Sequence, residues 1–358
     1  MKVKKVFANS LLLGELPEGC KLCVKGAKLV LFVTGLCNKR CWYCTISKAR
    51  WQKDIILADE LEVKEDSDIL REAKLIDAEG AGITGGEPIL VFDRTLHYID
   101  LLKSTFGKNF HIHLYTAFPL DFEKMKKLQE HGLDEIRFHF FERKWKMIKD
   151  ALKLDWDVGI EIPVIPEYED KIKKLLLKAD ELGVKFVNLD ELEFSERNEK
   201  ILLEKGYEFK EDVPTAVKGS EEVAKRLLRF ASENLERLNV HYCSAMTKNV
   251  FQLKNRWKRR AKNIKECYEK VDEDGLLQKG IIEADKGRLP SLLDYLRERF
   301  RLPPRMIKIK NGRIETSIKI ALKIAKKERN LKVYLVKEVP IENGWFVEKW
   351  PAEALLKK

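Results

Sequence analysis

Short apolar runs alternate with amphipathic stretches through the first two thirds of the chain. In Lys28-Leu29-Val30-Leu31-Phe32-Val33 the run is nearly unbroken, as in a strand buried on both faces of a parallel sheet. Strands are predicted at 28–33, 79–84, 109–116, 134–140, 157–165, 184–190 and 238–243. Apolar residues at helical spacing predict helices at 65–76, 92–104, 120–131, 144–153, 168–182 and 221–236. Strand and helix in turn, joined by short links, imply right-handed βαβ units. The fold class is α/β, a partial or full parallel (β/α) barrel. Active residues are then expected at the C-terminal strand ends. The stretch 195–220 is polar and broken, and reads as an excursion between two strands.

The texture divides the chain into three. Residues 1–27 form a short extension containing Cys20 and Cys23, 28–246 the barrel, and 247–358 a basic α/β region. In that last region Val250, Leu253, Trp257, Ala261 and Ile264 recur at steps of three or four, so 248–265 is an amphipathic helix. Residues 306–310 and 313–316 read as a hairpin about Asn311-Gly312. A helix at 318–327 and strands at 332–339 and 344–350 complete it.

The length of 358 residues fits two or three domains. No apolar run reaches membrane-helix length, and Asn9 and Ser10 interrupt the apolar start, so neither a membrane span nor an export signal is expected. Charge is uneven. Residues 247–358 hold 29 Lys/Arg against 15 Asp/Glu, and residues 1–246 hold 40 against 43. Residues 248–265 carry eight Lys/Arg and no acid. This asymmetry points to a polyanion, RNA and above all tRNA, contacted through Lys254, Arg256, Lys258, Arg259, Arg260 and Lys262. Trp257, Trp345 and Trp350 are available to stack on bases, although core packing is their plainer reading. A solvated basic face is the competing account of the charge. Four glutamines among abundant Lys and Glu suggest a thermophile source.

Seven cysteines, three of them within eight residues, favour metal binding in a reducing, cytoplasmic compartment over disulfides. Cys37, Cys41 and Cys44 have the spacing C-x3-C-x2-C directly after the first predicted barrel strand. Three thiolates on one tight loop suit three corners of a [4Fe–4S] cluster, which leaves one iron open to another ligand. A structural zinc site would want a fourth ligand that the loop lacks.

With Tyr43 just before the last cysteine, this loop resembles that of the radical S-adenosylmethionine (SAM) superfamily. Gly85-Gly86-Glu87-Pro88 after the second strand resembles the same family's GGEP motif. The resemblance covers about residues 28–245 and is nearest to archaeal proteins related to pyruvate formate-lyase activating enzyme. It implies SAM chelated to the open iron and cleaved reductively to a 5′-deoxyadenosyl radical, with an external electron donor. It also implies that Tyr43, Gly85, Gly86, Glu87 and Pro88 border SAM. Thr116, His139 and Pro163, at predicted strand ends, are further candidates for that wall. Glu87 either accepts a hydrogen bond from SAM or fixes its own loop.

Four cysteines remain. Cys20-x2-Cys23 has metal-hairpin spacing, and Cys243 ends the last barrel strand, which a barrel brings toward the N-terminal segment. Cys20, Cys23 and Cys243 are expected to share a second iron–sulfur cluster or a zinc ion, with Cys267 or His241 as fourth ligand or an iron left open to substrate; ordinary burial is the competing account of Cys243 and Cys267, and the plainer one for Cys267. The resemblance thus implies a radical SAM enzyme, with tRNA as its first candidate substrate. A protein, a peptide or a small acidic metabolite is the alternative. A non-catalytic iron–sulfur regulator is the reading from a different class.

Overall fold

The structure is a computed structural model describing residues 1–140, 145–342 and 344–355. It divides into two compact units: unit 1 comprises 1–74 and 78–253, and unit 2 comprises 75–77 and 254–358. The division falls after Leu253 rather than after Met246.

Unit 1 runs β1 (Val3–Lys5), β2 (Leu11–Leu13), α1 (Glu18–Lys25), β3 (Lys28–Phe32), β4 (Leu57–Ala58), β5 (Leu61–Glu62), α2 (Asp66–Leu75) and β6 (Gly80–Thr84). It continues through α3 (Phe92–Phe106), β7 (His111–Thr116), α4 (Phe122–Glu130), β8 (Glu135–Phe138), α5 (Trp145–Ala151) and β9 (Asp157–Val164). Then come α6 (Glu169–Leu182), β10 (Phe186–Glu191), α7 (Glu199–Glu204), α8 (Ser220–Asn234) and β11 (Asn239–Cys243). The helix expected at 144–153 is described over Trp145–Ala151, and Lys144 lies outside the described residues.

One sheet holds all eleven strands in the order β1-β2-β11-β10-β9-β8-β7-β6-β3-β4-β5. The seven strands from β11 to β3 are parallel, each following its helix as expected of βαβ units. β2 pairs antiparallel with β11, so residues 1–27 are built into the sheet rather than appended to it. α1 was not foreseen. Gly19 lets it press inward, since a Cβ there would stand 2.5 Å from His113 Nδ1 and 2.7 Å from Arg137 Nη2.

Unit 1 ends in a π-helical turn at Thr247–Gln252, and unit 2 takes up the chain from the second residue of α9 (Leu253–Ile264), then β12 (Lys270–Val271), β13 (Leu277–Glu283) and α10 (Leu289–Phe300). β14 (Ile307–Lys310), β15 (Arg313–Thr316), α11 (Ile318–Lys327), β16 (Lys332–Glu338) and β17 (Phe346–Pro351) follow. Its antiparallel sheet has the order β14-β15-β13-β16-β17. Leu293, Leu296, Phe300, Ile307, Ile314 and Ile324 form its apolar core. Gly280 on β13 admits α11, because a Cβ would fall 2.1 Å from Ala321 Cβ. Buried Lys279 is held by Glu269, Glu315 and Glu338, the pairing that a buried cation needs.

Candidate active site

Every second residue of the parallel strands turns into the barrel. There the chain is polar: Tyr115 on β7, Arg137 on β8, Glu161 on β9 and Asp190 on β10 line a cavity of about 450 Å³. Cys37, Cys41 and Cys44 line the same cavity, together with Tyr43, Gly85, Gly86, Glu87, Pro88, Thr116, His139 and Pro163. The candidate cluster and SAM residues are thus brought to one place, at the C-terminal ends of the strands.

The two loops are tied by their backbones. Gly86 N donates to Thr34 O (2.6 Å) and Glu87 N to Leu36 O (2.8 Å). Glycine is required at 86, since a Cβ would lie 2.3 Å from the Leu36 carbonyl oxygen. Glu87 is buried. Its Oε1 accepts from Thr116 Oγ1 (2.8 Å) and Ile89 N (3.2 Å), and its Oε2 from Ala117 N (2.8 Å). Of the two roles expected for Glu87, the one visible here is holding its loop to the end of β7.

The cysteine loop fits a cluster by its chemistry. Lys39 N–H points at Cys37 Sγ (3.3 Å), a bond that favours thiolate sulfur. Burial raises the Cys37 thiol and that N–H opposes the rise. Tyr43 Oη is 2.9 Å from His139 Nε2, and His139 Nδ1 is 2.8 Å from Glu161 O.

Deeper in, Arg137 contacts Glu135, Glu161 (2.7 Å) and Tyr115 Oη (3.1 Å). Asn188 Nδ2 donates to Glu161 Oε2 at 2.8 Å. Although burial opposes it, Arg137 and the Asn188 bond hold the Glu161 carboxyl below its usual range. Lys28 and Asp190 also face the cavity, and among the described residues neither has a hydrogen-bond or ion-pair partner. Burial, with Glu161 and Glu193 adding to it, pushes Asp190 up to about 7. Sequence reasoning missed this inner wall. Its signal was the period-two polarity of His111-His113-Tyr115, Glu135-Arg137 and Asn188-Asp190.

Cys20 and Cys23 lie one turn apart on α1, not on a hairpin. Cys20 Sγ accepts from Asn188 Nδ2 (3.3 Å) and Arg137 Nη2 (3.5 Å), and burial pushes its thiol up to about 11. Cys20 and Cys23 are near enough to Cys243 to add to the rise that burial imposes on its thiol. His241 is buried with neither ring nitrogen hydrogen-bonded among the described residues, and burial lowers it to about 4. Cys267 is exposed in unit 2, its thiol donating to Arg305 O at 3.0 Å. Among the described residues no three His, Cys, Asp or Glu side chains are gathered closely enough to hold a metal ion, in either cysteine set.

The basic helix is less free than its sequence suggests. The helix contains no acid, but its cations find partners elsewhere: Lys254 pairs with Asp274, and Arg259 donates to Ile76 O (2.7 Å) and Asp77 O. Lys248 pairs with Glu193, and Arg256 and Arg260 are buried. Only Lys258 and Lys262 of the six proposed contacts are exposed. Trp345 and Trp350, expected in a core, are exposed instead.

A sequence profile of the radical SAM superfamily matches residues 31–179. A Methanocaldococcus jannaschii protein named as a candidate glycyl-radical enzyme activating enzyme is 42% identical over 298 residues, covering 79% of this chain and 78% of its own. The chain belongs to the radical SAM superfamily. As a radical SAM enzyme it uses a [4Fe–4S] cluster and SAM. Streptococcus suis SuiB bound to SAM aligns with a TM-score of 0.44 and 15% identity, over 63% of this chain and 53% of that one. SuiB with its precursor peptide SuiA aligns with a TM-score of 0.44 and 14% identity, over 71% and 56%. The chain spans about half the length of those solved chains. Among the described residues no helix is long and apolar enough to cross a membrane.

Proposed function

We propose that this radical SAM enzyme activates a polypeptide partner by abstracting a hydrogen atom from a glycine. The observation that carries the reading is the 42% identity, over most of both chains, to a protein named as a candidate glycyl-radical enzyme activating enzyme. The engaged cations of α9 weaken one support for RNA. Trp345, Val347 and Trp350 are exposed on or beside β17, an edge strand of unit 2. A protein partner uses such a surface more readily than a phosphate backbone does.

Cys37, Cys41 and Cys44 hold the cluster, and the Gly85-Gly86 turn gives SAM close backbone approach. Glu87 and Thr116 fix that turn, and Tyr43 and His139 brace the opposite wall. Bound there, cluster and SAM would supply a 5′-deoxyadenosyl radical by one-electron reductive cleavage that releases methionine. The glycine Cα–H bond breaks, the hydrogen atom forms the new C–H bond of 5′-deoxyadenosine, and the unpaired electron stays on Cα. Inside the barrel, Lys28 and Asp190 supply polar groups with which an inserted segment can pair.

Deuterium transfer tests this. Holoenzyme, SAM and reductant are incubated with protein extract labelled with [2,2-²H₂]glycine or with bulk tRNA. Deuterium in 5′-deoxyadenosine from the labelled protein supports the proposal. Turnover stimulated by tRNA alone, without deuterium from protein, overturns it.

A further inference from the structure

Behind the cysteine loop lies a second cavity of about 440 Å³, lined chiefly by Arg40, Cys41, Trp42, Cys44, Trp51 and Arg197. Cys41, Cys44 and Trp51 line both cavities, so the cysteine loop borders the SAM side and this cavity alike. The charged side chains lining the outer cavity are both arginines.

Arg197 lies flat on Trp51, its guanidinium carbon 3.6 Å from the ring centroid. Its Nη1 is buried and, among the described residues, has no acceptor. A guanidinium nitrogen without an acceptor is costly to bury and is matched best by a carboxylate or phosphate. Arg40 is exposed and has no ion-pair partner among the described residues. Trp42 is stacked on Tyr207, and Lys205 Nζ lies 4.8 Å from its ring centroid, a packed rim beside the loop.

Cluster chemistry consumes one electron for each radical made, and no side chain of the protein is a low-potential donor. The electron therefore arrives from a partner, and it must arrive near the cysteines. We propose that Arg40, Trp42, Trp51 and Arg197 form the docking surface for an acidic one-electron carrier protein. The carrier is oxidised by one electron and the cluster reduced by one, and no bond is made or broken. This inference rests on membership of the radical SAM superfamily and is independent of the substrate.

The test uses reconstituted holoenzyme and an acidic ferredoxin as probe. Its dissociation constant is measured at low and at physiological salt for the native chain, R40E and R197Q. Because Arg40 is exposed, R40E leaves packing untouched. We expect R40E to weaken binding about ten-fold at low salt and to flatten the salt dependence, with R197Q acting in the same direction. Iron content, SAM affinity and the rate of cluster reduction by dithionite stay as in the native chain. An R40E holoenzyme with unchanged ferredoxin affinity and salt dependence overturns the proposal, as does equal slowing of reduction by dithionite and ferredoxin.

Discussion

Tyr43 Oη lies 2.9 Å from Nε2 of His139, which hydrogen-bonds the cysteine loop to the residue following β8. His139 Nδ1 is set against the Glu161 carbonyl at 2.8 Å. A carbonyl only accepts, so Nδ1 carries the proton, and in the neutral ring Nε2 accepts from the Tyr43 hydroxyl. One imidazole therefore orients the aromatic next to Cys44 from a strand nearly a hundred residues away in sequence. The site is built this way throughout, with loop chemistry held by strand ends.

Gly86→Ala places a methyl against the Leu36 and Gly35 carbonyl oxygens, at 2.3 and 2.7 Å. Both obstacles are backbone and cannot swing aside. We expect a loss of about 1–3 kcal/mol in thermal or denaturant unfolding, with SAM affinity reduced. Native stability together with native SAM affinity would show that the two loops do not meet as described.

Asp190 links stability to pH. Its folded value of about 7 lies above an unfolded carboxyl. The folded state thus binds the proton more tightly. This group's contribution is complete below about pH 4 and is lost as pH rises through about 7. D190N removes that loss, so at pH 8 it should exceed the native chain by about 1–3 kcal/mol. Unfolding curves for both proteins from pH 5 to 8 check this; parallel curves would contradict it.

Arg259→Gln should act on the fold rather than on nucleic acid. It removes donors from Ile76 O and Asp77 O, at a cost of about 1–3 kcal/mol. The expected result is a Tm lowered by a few degrees and unchanged low-salt retention on tRNA. Lost tRNA retention at native Tm would restore the RNA reading.

A second metal on Cys20, Cys23 and Cys243 is a separate proposal, supported by the influence of Cys20 and Cys23 on the Cys243 thiol and by the two orphaned nitrogens of His241. Anaerobically reconstituted C37A/C41A/C44A protein should retain iron or zinc, and C20A/C23A/C243A should lose it while keeping the loop cluster. A metal-free loop variant would eliminate the second site.

Much of this architecture was legible because single strands announce themselves locally. The predicted strands 28–33, 79–84 and 238–243 match β3, β6 and β11 within a residue or so at each end. The inner wall was not legible in the same way. Alternating polar residues ordinarily mean a solvent face, whereas in a barrel whose outer face is covered by helices they mean the cavity. Arg137, opposite Gly159 in the pairing of β8 and β9, reaches Glu161 two residues further along through its side chain at 2.7 Å, a contact that neither strand shows by itself. α1 was hidden by its own cysteines, because C-x2-C suggests a metal turn and Gly19 disfavours a helix. The basic helix misled for another reason. Its partners, Asp274 and the carbonyls of Ile76 and Asp77, lie outside the segment in sequence, and local charge counting cannot find them.

The central claim is that Cys37, Cys41 and Cys44 hold the cluster that cleaves SAM. Its most direct measurement is electron paramagnetic resonance of the dithionite-reduced, reconstituted chain with and without SAM, alongside assay of 5′-deoxyadenosine. The native chain should show a [4Fe–4S] signal that SAM perturbs, with slow formation of 5′-deoxyadenosine, and C37A/C41A/C44A should show neither. The same SAM-perturbed signal and the same product in the triple variant would contradict the account.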